Sequence, residues 1–386
     1  MSDADRKPIA LYVHWPWCVR KCPYCDFNSH AMGSGIDEEG YVAALLKDLD
    51  AGVRIAGTRP LSSIFFGGGT PSLISEKAFE VLMKGIAARL PFVSDIEITL
   101  EANPGACEAA RFAGYVANGV NRFSIGVQSF NNDRLKALGR IHNRDEALSA
   151  IETALGLVDN LNLDVMYALP GQNLDGVIAD ARTAVTSGAT HLSFYELTIE
   201  EGTAFYKREP EALPDCDAAA EMGETVQAIL GEAGYEHYEV SGYAKPQRRC
   251  RHNLNYWTFG DYIGVGAGAH GKITTDAGIL RTERRSNPQL YADDAHNARF
   301  DAQVRFVPAE SLPFEFMLNV LRLFEGVPVS LWQESTGLPY ELIREPVQEL
   351  RAQGLLSNDP RRLCCTELGR NWLSTVQERF LMDNEV

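Results

Sequence analysis

Six short runs of apolar, strand-forming residues alternate with stretches of helical periodicity along the first half of the chain. The strand-like runs are residues 9–14, 62–66, 97–102, 122–126, 161–167 and 191–196. The helix-like stretches between them are residues 38–56, 76–90, 108–118, 145–158 and 174–187. Because strands that alternate with helices form parallel sheets, this order predicts a parallel sheet, either open or curled into a partial barrel. In both architectures ligands bind where the carboxyl ends of the strands meet.

Three of the eight cysteines crowd together at the end of the first predicted strand. Cys18, Cys22 and Cys25 form the spacing C-x3-C-x2-C within HWPWCVRKCPYCDF. Three thiolates on one short loop suit an iron–sulfur cluster, and a four-iron cluster would keep one iron open to the amino and carboxylate groups of a small molecule. The alternative is a zinc site completed by His14 or His30, although structural zinc sites usually take their cysteines as separated pairs.

Glycine and polar residues occur at the ends of the next four predicted strands. Glycine directly after a strand lets the backbone approach a ligand closely, and a carboxylate in that place can accept hydrogen bonds from hydroxyl groups. Each residue could instead serve as a turn or cap, but their recurrence at successive strand ends favours one shared site. The positions are Gly68, Gly69, Thr70, Glu101, Gln128 and Asp164.

Taken in order, these segments resemble the radical-SAM proteins of the oxygen-independent coproporphyrinogen oxidase group, and more closely the heme-chaperone branch of that group. The similar segments are YVHWPWCVRKCPYCDF, FFGGGTPS, LEANP, RFSIGVQSF, LGRIHN, LDVMYALPGQ and RHNLNYW. They are spread over nearly the whole chain. The resemblance implies a partial (β/α)6 barrel, and the six strand–helix units fit that fold.

The resemblance also implies roles for single residues. Cys18, Cys22 and Cys25 match the ligands of a 4Fe-4S cluster. In this family the cluster can pass one electron to the sulfonium of S-adenosylmethionine (SAM), which gives methionine and a 5′-deoxyadenosyl radical, while the protein binds, orients and shields. The positions that match SAM-contacting residues are Tyr12, Tyr24, Gly68, Gly69, Thr70, Glu101, Gln128, Arg140 and Asp164.

One position separates the branches of this group. The decarboxylating enzymes carry a further cysteine two residues after the third, where this chain has Phe27, and they have a longer region before the first strand. Both differences favour a heme chaperone that hands heme to a hemoprotein acceptor, with membrane-bound respiratory proteins as the expected class. Whether the chain also acts as an enzyme stays open. The alternatives are oxidative decarboxylation of coproporphyrinogen III and a zinc-stabilised binding protein without redox chemistry.

The segment RHNLNYW, residues 251–257, matches a motif that the resemblance associates with heme binding. His252 would then ligate the heme iron, while aromatic rings pack on the porphyrin and arginines pair with its propionates. Cys250 is a second candidate ligand. Without the resemblance, a histidine held in a polar network beside the barrel is the simpler interpretation. The glycine-rich run at 264–270 predicts a return loop near the cofactor rather than a dinucleotide site.

Charge and composition exclude several classes of protein. The formal net charge of −16 argues against a general nucleic-acid binder. No stretch approaches the roughly 20 apolar residues that span a bilayer, and the polar N-terminus does not resemble a secretory signal. We therefore expect a cytoplasmic protein, with a homodimer among the oligomeric states left open. Dispersed cysteines such as Cys107 and Cys216 are expected to be inert.

The pattern changes near residue 306. Helical periodicity at 312–324, 329–335 and 340–353 precedes strand-like pieces at 355–357 and 363–366 and a last helix at 368–381. This order resembles a winged-helix module, but twelve acidic against seven basic residues argue against DNA binding and favour a lid or partner-docking surface. We thus expect three domains. They are residues 1–235 with the cluster and SAM, 236–305 with the heme motif, and 306–386 as a winged-helix-like α+β module.

Overall fold

The computed structural model describes residues 7–33, 35–105 and 109–381. Seven parallel strands form the centre of its main sheet, and six of them coincide with the predicted strands. The seventh, β11, pairs with β1 and was not predicted. The parallel strands are β1 (Ile9–Trp15), β4 (Leu61–Gly68), β5 (Phe92–Ala102), β6 (Arg122–Gln128), β7 (Leu161–Tyr167), β8 (His191–Glu196) and β11 (Tyr262–Val265).

Antiparallel strands from the segment after residue 235 extend both edges of this sheet. On the β8 side they are β10 (Gly242–Ala244) and β9 (Glu236–Glu239); on the β11 side they are β12 (His270–Thr275), β13 (Gly278–Arg284) and β14 (Asp301–Phe306). The order across the sheet is β14-β13-β12-β11-β1-β4-β5-β6-β7-β8-β10-β9. Within the described residues the two end strands do not pair with each other, so the barrel is open.

Helices follow the strands in the first half of the chain, as the alternation predicted. The helix Glu38–Ala56 has the predicted bounds, and the Asp37 side chain caps it by accepting the Gly40 N–H. The helix predicted at residues 108–118 spans Phe112–Ala117, and residues 106–108 lie outside the described part of the chain. The remaining helices up to residue 235 are Glu76–Ala87, Asn132–Ala137, Arg144–Leu155, Leu174–Thr186, Ala204–Lys207 and Cys216–Glu232.

The core lies between the sheet and these helices. Strand β1 is buried at six of its seven positions, as expected for a central parallel strand covered on both faces. Large side chains such as Trp15, Phe66 and Phe123 are fully buried there. The segment that supplies the edge strands also contributes two short helices: Arg251–Trp257 packs against β4, and Pro288–Asp294 packs against the helix Glu38–Ala56. None of the helices in the described part of the chain is both long and apolar enough to cross a membrane.

The C-terminal part packs in a second apolar core around Phe316, Trp332 and Val347, to which Tyr238 and Phe259 of the preceding segment also belong. Its helices are Leu312–Val320, Ser330–Thr336, Glu341–Ala352, Glu367–Asn371 and Leu373–Glu378. The two predicted strand-like pieces, 355–357 and 363–366, are joined by a single bridge between Leu356 and Cys365. Strand β16 (Arg362–Leu363) pairs with β15 (Val327–Pro328), a strand that the sequence did not suggest. Ion pairs such as Arg322 with Glu239, at 3.2 Å, join this part to the barrel.

Candidate cluster and SAM site

The carboxyl ends of the parallel strands open into one cleft with a cavity volume of about 250 Å³. Eleven of the residues singled out from the sequence line it. They are Cys18, Cys22, Cys25, Tyr24, Gly68, Gly69, Thr70, Glu101, Gln128, Arg140 and Asp164. The strand-end rule therefore located the cleft.

The three cysteines lie on a loop that runs from the end of β1 to β3 (His30–Ala31), which pairs with β2 (Trp17–Cys18). Asn28 fixes this loop: its Nδ2 donates to the carbonyls of Ala267 and Ser286, each at 2.8 Å. Ala267 belongs to the glycine-rich run 264–270, so that run lies against the cluster loop. The loop is thus tied to a distant part of the chain before any ligand binds.

Each cysteine has a polar neighbour that can hold its thiolate. Arg140 donates through Nη1 to Cys22 Sγ at 3.6 Å, and Ser29 Oγ lies 3.6 Å from Cys25 Sγ. Burial raises the pKa of the Cys18 thiol, which the nearby Thr70 hydroxyl opposes by hydrogen bonding. Three partly buried thiols facing one cleft, with a guanidinium beside them, fit an anionic iron–sulfur cluster.

The histidines suggested as a fourth zinc ligand have other partners. His14 donates through Nε2 to the Asn28 carbonyl at 2.9 Å and accepts the Tyr12 hydroxyl at Nδ1, at 3.0 Å. His30 Nε2 lies 3.2 Å from Asn28 Oδ1. Within the described ranges, no three histidine, cysteine or carboxylate side chains are grouped so that they could hold one metal ion. A zinc ion needs its ligands around a single point, whereas cluster thiolates each bind a different iron.

The glycines after β4 are required by packing inside the protein. A Cβ on Gly69 would lie 2.6 Å from the carbonyl oxygen of Trp17, and Gly68 has a φ of 112° with the His14 ring beneath it. The Gly69 and Thr70 amides donate to the carbonyls of Trp15 and Trp17 at 2.7 and 2.8 Å. The loop therefore packs directly on the end of β1, which places its backbone at the edge of the cleft.

Two carboxyl groups, Glu101 and Asp164, line the cleft and are near enough for the charge of Asp164 to act on Glu101. Burial raises the pKa of Glu101 to about 8, and the charge of Asp164 adds to this rise, while the Gly68 N–H bound at 3.2 Å opposes it. Burial also raises the pKa of Asp164, against hydrogen bonds from Ser124 and Asn162. Two partly buried carboxyls this close suit a cationic ligand that also donates hydrogen bonds.

We expect Glu101→Gln to change how stability depends on pH. Because its folded pKa is raised, Glu101 stabilises the folded state at low pH, and this contribution is lost as pH rises from about 4.3 through about 8. Relative to the variant, the cluster-free wild type should lose up to about 1.4 kcal/mol of unfolding free energy per pH unit in that window. Urea unfolding at several pH values measures the difference. If the unfolding free energies of the wild type and the variant change with pH in parallel, the pKa of Glu101 is not raised in the folded protein.

Gln128 and Arg140 form the far wall of the cleft. Gln128 has a φ of 65°, a strained value for a residue other than glycine, at a bulge where β6 ends. Its Oε1 accepts the Tyr195 hydroxyl at 2.7 Å. Arg140 also donates through Nη2 to Asn103 Oδ1 at 2.5 Å and to the Gly126 carbonyl at 2.8 Å. Both side chains are therefore fixed by the protein before a ligand arrives.

Two of the predicted residues lie away from the cleft lining. Tyr12 is in the barrel interior behind Glu101, with its ring stacked on Phe65 at a centroid distance of 6.3 Å. His252 is 1 % exposed, and both ring nitrogens have partners: Ser63 Oγ at 2.9 Å and the Tyr256 hydroxyl at 2.7 Å. Burial lowers the pKa of His252 to about 3, so the ring is neutral.

The arginines of the heme motif are paired as well. Arg251 Nη1 lies 2.7 Å from Asp95 Oδ2, and Arg249 Nη2 lies 2.7 Å from Glu325 Oε1. Cys250 is fully buried, and its Sγ donates to Glu97 Oε1 at 3.6 Å. Arg251, His252 and the preceding Cys250 therefore belong to a polar network beside the barrel, as the simpler of the two interpretations expected. Cys216 is exposed, and Cys107 lies outside the described residues.

The sequence analysis did not single out five polar residues that line the cleft: Arg20, Ser29, Asn103, Ser124 and Tyr195. Tyr195 lies near the end of the predicted strand 191–196, so the strand-end rule could have found it. Ser124 lies within β6, and only the register of the sheet turns it toward Asp164, to which it donates at 3.0 Å. Asn103 follows Glu101 in LEANP and donates to Thr70 Oγ1 at 2.8 Å.

Comparison with known proteins identifies the family of the chain. The family model described as the Radical SAM superfamily matches residues 12–184, and that of the HemN C-terminal domain matches residues 307–372. The Escherichia coli protein "Heme chaperone HemW" is 48 % identical, with 97 % of this chain and 99 % of that protein covered. The Haemophilus influenzae protein of the same name is 44 % identical over 97 % of this chain and 98 % of that protein.

A solved structure resembles the whole chain. It is described as "Coproporphyrinogen III oxidase (HemN) from Escherichia coli is a Radical SAM enzyme"; the TM-score is 0.84 at 20 % identity, with 100 % of this chain and 92 % of that chain covered. At this identity the match concerns the fold, and it confirms the predicted fold class. The near full-length identity to the bacterial relatives is high enough to show the family. The chain belongs to the heme chaperone HemW family of the radical SAM superfamily.

Proposed function

We propose that this chain is a heme chaperone that holds a 4Fe-4S cluster on Cys18, Cys22 and Cys25, binds SAM in the same cleft, and passes heme to a hemoprotein acceptor. The observation that carries the proposal is the meeting of three partly buried cysteines and two partly buried carboxyls in one cleft at the strand ends. The names of the HemW relatives support the heme part. A membrane-bound respiratory acceptor, a cytoplasmic location and a homodimer stay predictions.

Each group of residues in the cleft would have a separate role in binding. The cysteines would ligate three irons, and the Arg140 guanidinium would offset their negative charge. Glu101 and Asp164 would accept hydrogen bonds from SAM and attract its positive charge, which in turn favours their ionised forms. When bound, the cluster and SAM together supply one-electron chemistry that amino acid side chains lack. The side chains of Gln128 and Tyr195 are hydrogen-bonded to each other, so they would hold the ligand without losing further side-chain freedom.

His252 stays our proposed heme ligand, although in the described state it is buried and both its nitrogens are bonded. Heme could reach it only if the helix Arg251–Trp257 moves away from Ser63 on β4. The cost of breaking the bonds to Ser63 and Tyr256 would then be part of the heme affinity. This requirement allows a sharper test than replacing the histidine alone.

We expect Tyr256→Phe and His252→Ala to change heme affinity in opposite directions. Tyr256→Phe keeps the ring but frees His252 Nε2, which should tighten heme binding about 5- to 10-fold, the equivalent of one hydrogen bond. His252→Ala removes the ligand and should weaken binding at least about 10-fold. Heme titration followed by absorbance measures both. If both variants weaken heme binding to a similar extent, His252 only supports the helix and does not ligate iron.

The function itself is tested on anaerobically reconstituted protein. The proposal expects iron and acid-labile sulfide near four each per chain, saturable binding of SAM and of heme, and heme transfer to an apo-hemoprotein. Zinc without sulfide would identify the zinc-stabilised alternative. Conversion of coproporphyrinogen III to protoporphyrinogen IX with SAM and a reductant would identify a decarboxylase despite Phe27, which is 58 % exposed at the rim of the cleft.

A further inference from the structure

We propose that a one-way chain of hydrogen bonds through the barrel interior, formed by Asp164, Asn162, His191 and Tyr238, couples a cation bound in the cleft to the start of the helix Arg251–Trp257. The inference rests on the proposed function, because SAM is the cation it requires. It adds a regulatory connection between the cofactor cleft and the proposed heme motif. The cleft lies at one end of the chain of bonds and the motif at the other.

The cleft end of the chain is Asp164 on β7. Asn162, two residues earlier on the same face of the strand, donates through Nδ2 to Asp164 Oδ1 at 2.9 Å and to Ser124 Oγ at 2.7 Å. Ser124 donates in turn to Asp164 Oδ2 at 3.0 Å. Because Nδ2 donates to both Asp164 and Ser124, the Asn162 amide is oriented with its nitrogen toward the cleft. Its Oδ1 must therefore face away from Asp164.

The middle of the chain is His191 on β8. Its Nδ1 lies 2.6 Å from Asn162 Oδ1, an acceptor, so Nδ1 carries the proton. The ring is 1 % exposed, and burial lowers its pKa well below the usual value, so it is neutral. Nε2 is then an acceptor, and the Tyr238 hydroxyl donates a hydrogen bond to it at 2.8 Å. Every donor in the chain thus points toward Asp164.

The far end is the start of the motif helix. The Cys250 N–H donates to the Tyr238 oxygen at 3.3 Å. Cys250 is the N-cap residue and makes no side-chain cap bond of its own. Glu97 accepts the next two amides, those of Arg251 at 3.1 Å and His252 at 3.0 Å. Tyr238 and Glu97 together therefore hold the first turn of the helix.

The charge on Asp164 sets the strength of every hydrogen bond in this series. Donors aligned in series polarise one another, and they do so more strongly in an environment without water. Asn162, His191, Tyr238 and Cys250 are each 2 % exposed or less. A cation placed between Glu101 and Asp164 relieves their mutual repulsion and favours the full negative charge on Asp164. We therefore expect SAM to tighten the bond at the Cys250 amide.

Amide hydrogen exchange tests this in the anaerobically reconstituted, full-length protein. Saturating SAM should slow exchange in peptides that cover residues 250–257 by about fivefold or more. Tyr238→Phe removes one hydroxyl and should abolish most of this slowing while leaving SAM bound. The matched control is Tyr235→Phe. Tyr235 is also a buried tyrosine, but its hydroxyl donates to the Ala189 carbonyl at 2.5 Å and is not part of the hydrogen-bond chain. In this control, SAM should slow amide exchange at residues 250–257 as much as it does in the wild type.

The outcomes separate the two proposals. The coupling is overturned, while the proposed function stands, if SAM binds to the wild type without slowing amide exchange at residues 250–257. The same conclusion follows if SAM slows this exchange as much in Tyr238→Phe as in Tyr235→Phe. If SAM does not bind to the wild type, the proposed function is overturned and the coupling with it.

A comparison of ligands gives an answer that needs no variant. S-adenosylhomocysteine lacks the methyl group and the positive charge of the sulfonium. At saturation it should slow exchange at 250–257 less than half as much as SAM, because the coupling depends on charge. Equal slowing by both ligands would overturn the coupling through Asp164, even if Tyr238→Phe failed to fold.

Discussion

Cys22→Ser should yield a folded chain with almost no cluster. We expect its iron and sulfide after reconstitution to fall below a quarter of about four per chain in the wild type, because a serine hydroxyl stays protonated and is too hard a ligand for iron in such a cluster. SAM affinity should fall at least about 100-fold with the loss of the open iron that would bind its amino and carboxylate groups. Metal analysis and equilibrium binding measure these two effects.

Cys216→Ser is the matched control for this prediction. Cys216 is exposed at the first position of the helix Cys216–Glu232, far along the chain from the cluster loop. Its replacement should leave iron, sulfide and SAM affinity unchanged within error. Equal cluster content in the two variants would show that Cys22 is not a ligand.

Asp48→Ala should strongly destabilise the fold, although Asp48 lies outside the cleft. Asp48 is fully buried in the helix Glu38–Ala56 and accepts hydrogen bonds from Tyr291 Oη at 2.7 Å, from the Gly266 amide at 3.2 Å and from Arg284 Nε at 3.1 Å. Removing the carboxylate leaves the buried Arg284 with only part of its charge offset, a loss of about 3–5 kcal/mol in unfolding free energy. Urea unfolding at pH 7.5 measures it, since burial raises the pKa of Asp48 to about 6.

Asp50→Ala, two residues along the same helix, provides the comparison. Asp50 also pairs with an arginine, Arg89, at 2.8 Å, but its side chain is 44 % exposed. A pair this open to water contributes at most about 1 kcal/mol. Similar losses for the two variants would mean that neither burial nor the Gly266 contact gives Asp48 its importance.

The sequence predicted the parallel strands well because their apolar runs are a local signal. The same rule placed Glu101 and Asp164 in one cleft, since the carboxyl ends of parallel strands meet at one edge. It did not predict β11, whose four residues, Tyr262–Val265, are too few for periodicity to identify. Nor could it show that Gln128 would adopt a left-handed backbone, which depends on a bulge against β7.

The position of His252 shows a different limit. RHNLNYW forms a helix of only seven residues, which is too short to be stable alone. Its cap comes from Glu97, 155 positions earlier in the chain, and its histidine packs under the barrel through Ser63. No local pattern encodes contacts across such separations. A motif can therefore be identified from the sequence while the place of its side chains cannot.

Strand β11 has a consequence for biosynthesis. Strand β1, which leads into the cluster loop, is bordered by β4 on one side and by β11 on the other. While the ribosome is still making residues 236–261, one whole edge of β1 has no partner and is exposed to pairing with other chains. The Asn28 clamp to Ala267 is also unmade at that stage. Cluster insertion should therefore follow the synthesis of residues 262–286, and nascent chains stalled before residue 262 should depend on chaperones.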